Sequence, residues 1–243
     1  MAVAFAAAVF LLAGLVKGVV GMGLPTVAMG LLALRMPPAH AAALLLVPSF
    51  VTNVWQLFAG PAFGDLLKRL WSMMAGICIG TVAGAGLLAG DQSRWAIAAL
   101  GLVLILYGAL ALLPIRLSIP RSRESWLSPL IGFTTGLMTG ATGVFVIPAV
   151  PYLQALGFDK DDLVQALGLS FTVSTIALAV GLAGQHVLAS GDILLSTLAI
   201  VPALVGMYLG QRMRAALRPD AFRRVFLVGL IGLGIYLALG TSM

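Results

Sequence analysis

The sequence predicts an all-α integral membrane protein made of two inverted repeats, each a glycine-broken hairpin followed by three transmembrane helices. Three observations carry that expectation. The 243-residue chain is 61% hydrophobic and only 9% charged, whereas soluble domains carry about 25% charged residues. Most of its apolar runs approach the ~20 residues that a spanning helix needs. Two further runs, residues 3–34 and 127–156, are too long for one span and short for two, and glycines interrupt both at the same spacing.

The first repeat is expected at residues 1–118, with a hairpin at 3–34 and helices at 39–59, 66–89 and 94–113. The second is expected at 119–243, with a hairpin at 127–156 and helices at 162–185, 191–212 and 222–240. Pro, Gly and most charges fall between these segments, as loops require. Trp71, Trp95 and Trp126 lie near segment ends, where amphipathic rings favour the membrane interface. The opening MAVAFAAAVF has no basic stretch before its apolar run and reads as the start of a retained segment rather than a cleaved signal.

The repeat is visible as self-similarity. Gly14, Gly18 and Gly21 are matched in spacing by Gly136, Gly140 and Gly143. Downstream, PSFVTN (Pro48–Asn53) resembles LSFTVS (Leu169–Ser174), and FGDLL at 63–67 resembles SGDIL at 190–194. Gly80 and Gly84 are echoed by Gly206 and Gly210. Two copies make an internal duplication rather than a solenoid.

Positive charge orients the chain. If all segments are simple spans, the cations divide nearly evenly between the two faces. If each glycine-broken segment returns to its own side, Lys68, Arg69, Arg116, Arg121, Arg123, Lys160, Arg212, Arg214, Arg218, Arg223 and Arg224 share one face. Only Arg35 and Arg94 remain on the other. Short cytoplasmic loops are enriched in Lys and Arg, so the hairpin topology is preferred, with both termini outside. Each half then crosses an odd number of times and the second is inverted, an architecture found in secondary transporters.

The breaks are candidate sites. Backbone groups in hydrocarbon must be paired, so a broken membrane helix survives only inside protein or beside a wet cavity. A helix starting after Gly21 or Gly23, with Pro25 in its first turn, presents N–H groups and a partial positive charge suited to an anion. Lys17 lies deep in its apolar run, roughly 21 Å from Val3 at 1.5 Å per residue. A charge at such depth costs about 3 kcal/mol and usually faces a cavity or a partner. Its counterpart in the second half is Thr139. Ser49, Thr52, Asn53 and Gln56 share one helical face, and Ser170 and Ser174 occupy matching places, with Thr172 and Thr175 nearby and Gln165 upstream. The expected substrate-binding set is Lys17, Gly18, Gly21, Gly23, Thr26, Ser49, Thr52, Asn53, Thr139, Gly140, Thr142, Gly143, Ser170 and Ser174. Gln56 suits an interhelical hydrogen bond instead. Gly76, Gly80 and Gly84 read as close helix packing, within the chain or across a homodimer.

Other chemistry finds little support. The net charge of +6 comes from cations scattered in short loops, which argues for topology and against nucleic acid. Cys78 stands alone in an apolar run, reads as a small buried hydrophobe and excludes an intrachain disulfide. No metal site and no cofactor are expected, and no nucleophile–base pairing suggests an enzyme. The acidic residues Asp65, Asp91, Glu124, Asp159, Asp161, Asp162, Asp192 and Asp220 fall at loops or segment ends, so no intramembrane carboxylate offers a proton relay. His40 and His186 lie near segment ends.

The stretches GVVGMGLP with LVPSFVTN, and GLMTGATGVFVIP with LGLSFTVS, resemble the sulfite exporter TauE/SafE family over nearly the whole chain. Met22 and Leu24 stand between glycines where members often have a tighter cluster. The resemblance implies a multi-pass inner-membrane permease that transports a small sulfur oxyanion or sulfonate. With the cell interior negative, outward movement of an anion is driven by the potential. The other readings are an uptake carrier or channel for a small anion, and an accessory membrane subunit.

Overall fold

The computed structural model describes residues 2–90, 93–113, 118–216 and 219–240, and every regular element in them is helical. In chain order these are α1 (Ala2–Val20), α2 (Leu24–Leu32), α3 (Pro38–Leu57), α4 (Phe63–Ala89), α5 (Ser93–Leu112), α6 (Arg121–Thr142), α7 (Ala149–Ala155), α8 (Lys160–Gly184), α9 (Ser190–Leu198), α10 (Ile200–Ala216) and α11 (Pro219–Gly240). Asp91, Arg116 and Arg218 lie outside the described residues. Seven candidate spans, on α1, α3, α4, α5, α8, α9 with α10, and α11, are long and apolar enough to cross a membrane. The chain is a multi-pass membrane protein. Large apolar side chains such as Ile79, Leu87, Leu102, Val180, Val201, Val225 and Leu239 are exposed on its outer surface, as lipid rather than water demands.

Several boundaries differ from expectation. α1 by itself is long enough to span, although it was expected as one limb of a hairpin. α6 begins at Arg121, before the apolar run, because the polar Arg121–Ser125 turn continues the helix. The segment expected at 191–212 is interrupted at Ala199. Pro202 explains this, since it has no N–H for the carbonyl four residues earlier. Cys78 is exposed rather than buried, because α4 turns its Gly76, Ile77, Gly80 and Thr81 face inward.

Glycine stripes bring the helices into backbone contact. Along α4, Gly76, Gly80 and Gly84 meet the α6 backbone at Pro129, Phe133 and Leu137 in turn, so the two helices run parallel. Gly14 and Gly18 of α1 likewise meet Ala203 and Met207 of α10 in parallel. The α5–α11 pair is antiparallel, with Gly101 against Gly234 and Gly108 against Ile231. The α3–α8 pair is also antiparallel: Gly168 abuts Leu57, while Asn53 reaches Thr175 further along α8. The stripe considered for a homodimer is therefore occupied by α6 of the same chain.

Polar fastenings complete the frame. Arg69 on α4 holds Glu124 on α6 through two hydrogen bonds of 2.8 and 2.6 Å, donates to the Leu156 carbonyl after α7, and lies over the Phe158 ring. His40 at the start of α3 meets Asp192 at the start of α9, at 2.8 Å. Gln165 accepts from the Ala62 N–H and donates to the Leu57 and Gly60 carbonyls, fixing the turn between α3 and α4. Pro48 lies inside α3 and cannot pair with the Leu44 carbonyl. Buried Ser196 repairs that defect: its hydroxyl donates to the Leu44 carbonyl at 2.8 Å and accepts from the Val47 N–H at 3.1 Å.

Three substitutions test this packing. A Cβ on Gly80 would lie 2.2 Å from the Phe133 carbonyl oxygen, so Gly80→Ala should lose about 1–3 kcal/mol through overpacking. Gly229→Ala, with nothing nearby to meet, should be neutral or gain about 0.5–1 kcal/mol. Ser196→Ala leaves the Leu44 carbonyl unpaired in the interior and should cost about 1–3 kcal/mol. Thermal unfolding of the detergent-purified variants measures all three.

Candidate functional site

The two helix breaks share one construction. α1 stops where Gly21 takes φ 85°, and the Gly21 N–H bonds the Lys17 carbonyl at 2.7 Å. α6 stops where Gly143 takes φ 71°, and the Gly143 N–H bonds the Thr139 carbonyl, again at 2.7 Å. Both are left-handed C-caps, a conformation that glycine adopts without strain. The chain after each break remains inside the protein. Almost all of α2 is buried, as are Val144–Ile147 and most of α7. Interior placement is the condition for irregular backbone at membrane depth.

The second break approaches α2 and α8. Met29 of α2 lies against Gly143 at the end of α6. The Phe145 ring, just beyond that break, packs at 5.2 Å on Phe171, the neighbour of Ser170 in α8. α2 starts after Gly23, which sits at φ 107° and supplies no side-chain cap. Pro25 has no N–H, so the first turn of α2 presents the Leu24 and Thr26 amides without helical partners.

Lys17 is the chemical centre of this region. It is 5% exposed and is the one charged side chain among the buried described residues. Its ammonium donates to Thr52 Oγ1 at 3.1 Å and to Asn53 Oδ1. Asn53 Nδ2 donates onward to Thr175 Oγ1 at 3.3 Å, and Thr175 Oγ1 donates to the Phe171 carbonyl at 2.7 Å. One chain of hydrogen bonds thus ties α1, α3 and α8 together. Every partner in it is neutral, so hydrogen bonds solvate the charge and no carboxylate balances it. A buried cation in that state attracts an anion, because pairing recovers part of its desolvation cost.

Neutral hydroxyls surround the same elements. Thr26 on α2, Ser49 on α3, and Ser170 and Ser174 on α8 are fully buried, and their hydroxyl oxygens have no hydrogen-bond partner among the described residues. Leaving a buried polar group unsatisfied costs about 1–3 kcal/mol. Thr81 Oγ1 on α4 and Gln56 Oε1 on α3 are likewise buried without a partner, so each of these atoms is open to a further hydrogen bond.

Other expected residues have contacts of their own. Thr139 donates to its own helix at the Thr135 carbonyl, and Thr142 donates to the Met138 carbonyl while accepting from the Val144 N–H. Gly18 and Gly140 press on neighbouring backbones: their Cβ atoms would lie 2.3 Å from the Met207 oxygen and 2.4 Å from the Thr81 oxygen. These two glycines serve helix packing. Gln56 bonds the Val164 carbonyl on α8, the interhelical part expected of it. Thr175, absent from the expected set, is the link that joins Asn53 to α8; its adjacency to Ser174 was the available signal. The opposite face of α3, with Phe50, Val54, Trp55 and Phe58, lines an apolar groove of about 620 Å³ on the outer surface.

The network has a thermodynamic signature. Lys17→Ala and Asn53→Ala should be non-additive in a double-mutant cycle of unfolding, with a coupling of about 0.5–3 kcal/mol. Additive losses would mean that the two side chains do not act as one unit.

Searches of curated proteins and of solved structures return no match. The family model of the sulfite exporter TauE/SafE matches residues 6–237, nearly the whole chain, including both breaks, Lys17 and the α3–α8 pair. The chain belongs to the sulfite exporter TauE/SafE family, a family of membrane transporters for sulfur-containing anions.

Proposed function

We propose that this protein exports a small sulfur-containing anion, sulfite or a sulfonate, through a site between its two glycine-broken segments. The observation that carries this reading is the buried Lys17 ammonium, solvated only by neutral groups and accompanied by unpartnered hydroxyls on α2, α3 and α8. In this reading Lys17 holds the anionic charge. Ser49, Ser170, Ser174 and Thr26 donate to the oxyanion oxygens, and the first turn of α2 adds backbone N–H groups. Thr52 and Asn53 hold the ammonium in place when no anion is bound. The substrate competes with them, so binding loosens the tie between α1 and α3.

Alternating access needs two related halves, and the helix directions support an inverted pair. If both glycine-broken segments return to their own sides, α4 and α6 must run parallel, as must α1 and α10, while α3–α8 and α5–α11 must be antiparallel. All four relations hold. Simple spans throughout would make α3–α8 and α5–α11 parallel. The preferred topology also puts the Arg69–Glu124 clasp on the cation-rich side and the His40–Asp192 pair on the other, with both termini outside. Export then follows the membrane potential, which supplies roughly 2.3 kcal/mol per 100 mV for each negative charge moved outward.

Sulfite efflux from proteoliposomes tests the reading. The natural protein should carry sulfite faster when the source side is negative. Lys17→Ala should lower the rate by more than about tenfold, the equivalent of one charge-assisted hydrogen bond. Flux that ignores potential and follows a proton gradient would overturn potential-driven export. Equal flux through the natural and Lys17→Ala proteins would remove Lys17 from the site.

A further inference from the structure

We infer that the site is matched to an anion of single charge, such as hydrogen sulfite or a monosulfonate, and discriminates against dianions of the same shape. This deepens the export reading and rests on it. Lys17 is the one charged side chain among the buried described residues, and the other buried polar side chains are hydroxyls and amides. The interior therefore offers a single positive charge. A bound monoanion brings the net charge of Lys17 and ligand to zero. A bound dianion leaves one negative charge uncompensated in a low-dielectric interior, the costly situation for any buried ion.

The second half supports the same count. The residue matching Lys17 is Thr139, whose hydroxyl is spent on the Thr135 carbonyl. The duplication that could have supplied a second cation carries a neutral group instead. The other basic residues among those described lie outside the buried interior, and three of them have partners there: Arg69 is balanced by Glu124, Arg35 lies over the Phe5 ring, and Arg212 over the Tyr208 ring. The unpartnered hydroxyls of Thr26, Ser49, Ser170 and Ser174 recognise oxygen atoms without adding charge. They select the oxyanion head, while Lys17 sets its valence.

Methanesulfonate and sulfate form a matched pair of probes. Both have tetrahedral sulfur and nearly equal size, and they differ by one charge. Efflux of each should be measured from proteoliposomes of the full chain at neutral pH, with the natural protein, Lys17→Arg and Lys17→Gln. Methanesulfonate should move at least about tenfold faster than sulfate, and Lys17→Arg should keep that ratio because it keeps the charge. Sulfate moving as fast as methanesulfonate would overturn the charge match. If Lys17→Gln then stopped both, the anion site itself would stand. Flux of both that persists in Lys17→Gln would overturn the site as well. If methanesulfonate, sulfate and sulfite all failed to move through the natural protein, the transport reading and the charge match would fall together.

Discussion

In a hydrocarbon solvent no backbone N–H or C=O can be left unpaired, and this constraint governs the structure. It explains why the chain is helical and why the exceptions are so carefully housed. Where α1 and α6 end inside the fold, a left-handed glycine turns each terminal amide back to a carbonyl. Where Pro48 interrupts α3, Ser196 arrives from another helix to pair the abandoned carbonyl. The short helices α2 and α7, which could not exist facing lipid, are packed among longer ones.

The same constraint explains the glycines. Close backbone contact between α1 and α10 and between α4 and α6 replaces the hydrophobic drive that lipid cannot supply. Stripes of small residues let the carbonyls of one helix meet the Cα atoms of the next. The two broken segments are thereby braced by rigid partners, and the end of α6 can rest on α2 at Met29.

Against that economy, Lys17 and the lone buried hydroxyls are the anomalies. A fold so careful to pair its backbone leaves one ammonium without a counter-charge and buries Thr26, Ser49, Ser170 and Ser174 without partners. The Lys17–Asn53–Thr175 chain solvates the charge and ties three helices together. The neutral partners hold it more weakly than a carboxylate would, as the proposed export of an anion requires.

By itself the sequence determined the solvent, the helical class and the family. The first two are properties of composition and run length, and the third of its glycine-rich motifs. It also singled out Lys17, because a cation in an apolar run is costly wherever the chain folds. Tertiary structure decided the rest. Gly18 and Gly140 show the same spacing as Gly21 and Gly143, yet the first pair faces neighbouring helices and the second makes the turns. Spacing within one helix cannot say what lies opposite each face. Cys78 was read as buried because its neighbours are apolar, but in a membrane an apolar neighbourhood exists on both the lipid and the protein side. Thr175 and Ser196 gain their roles from residues more than 100 positions away. Pairing across such distances depends on how the helices pack, which no local pattern encodes.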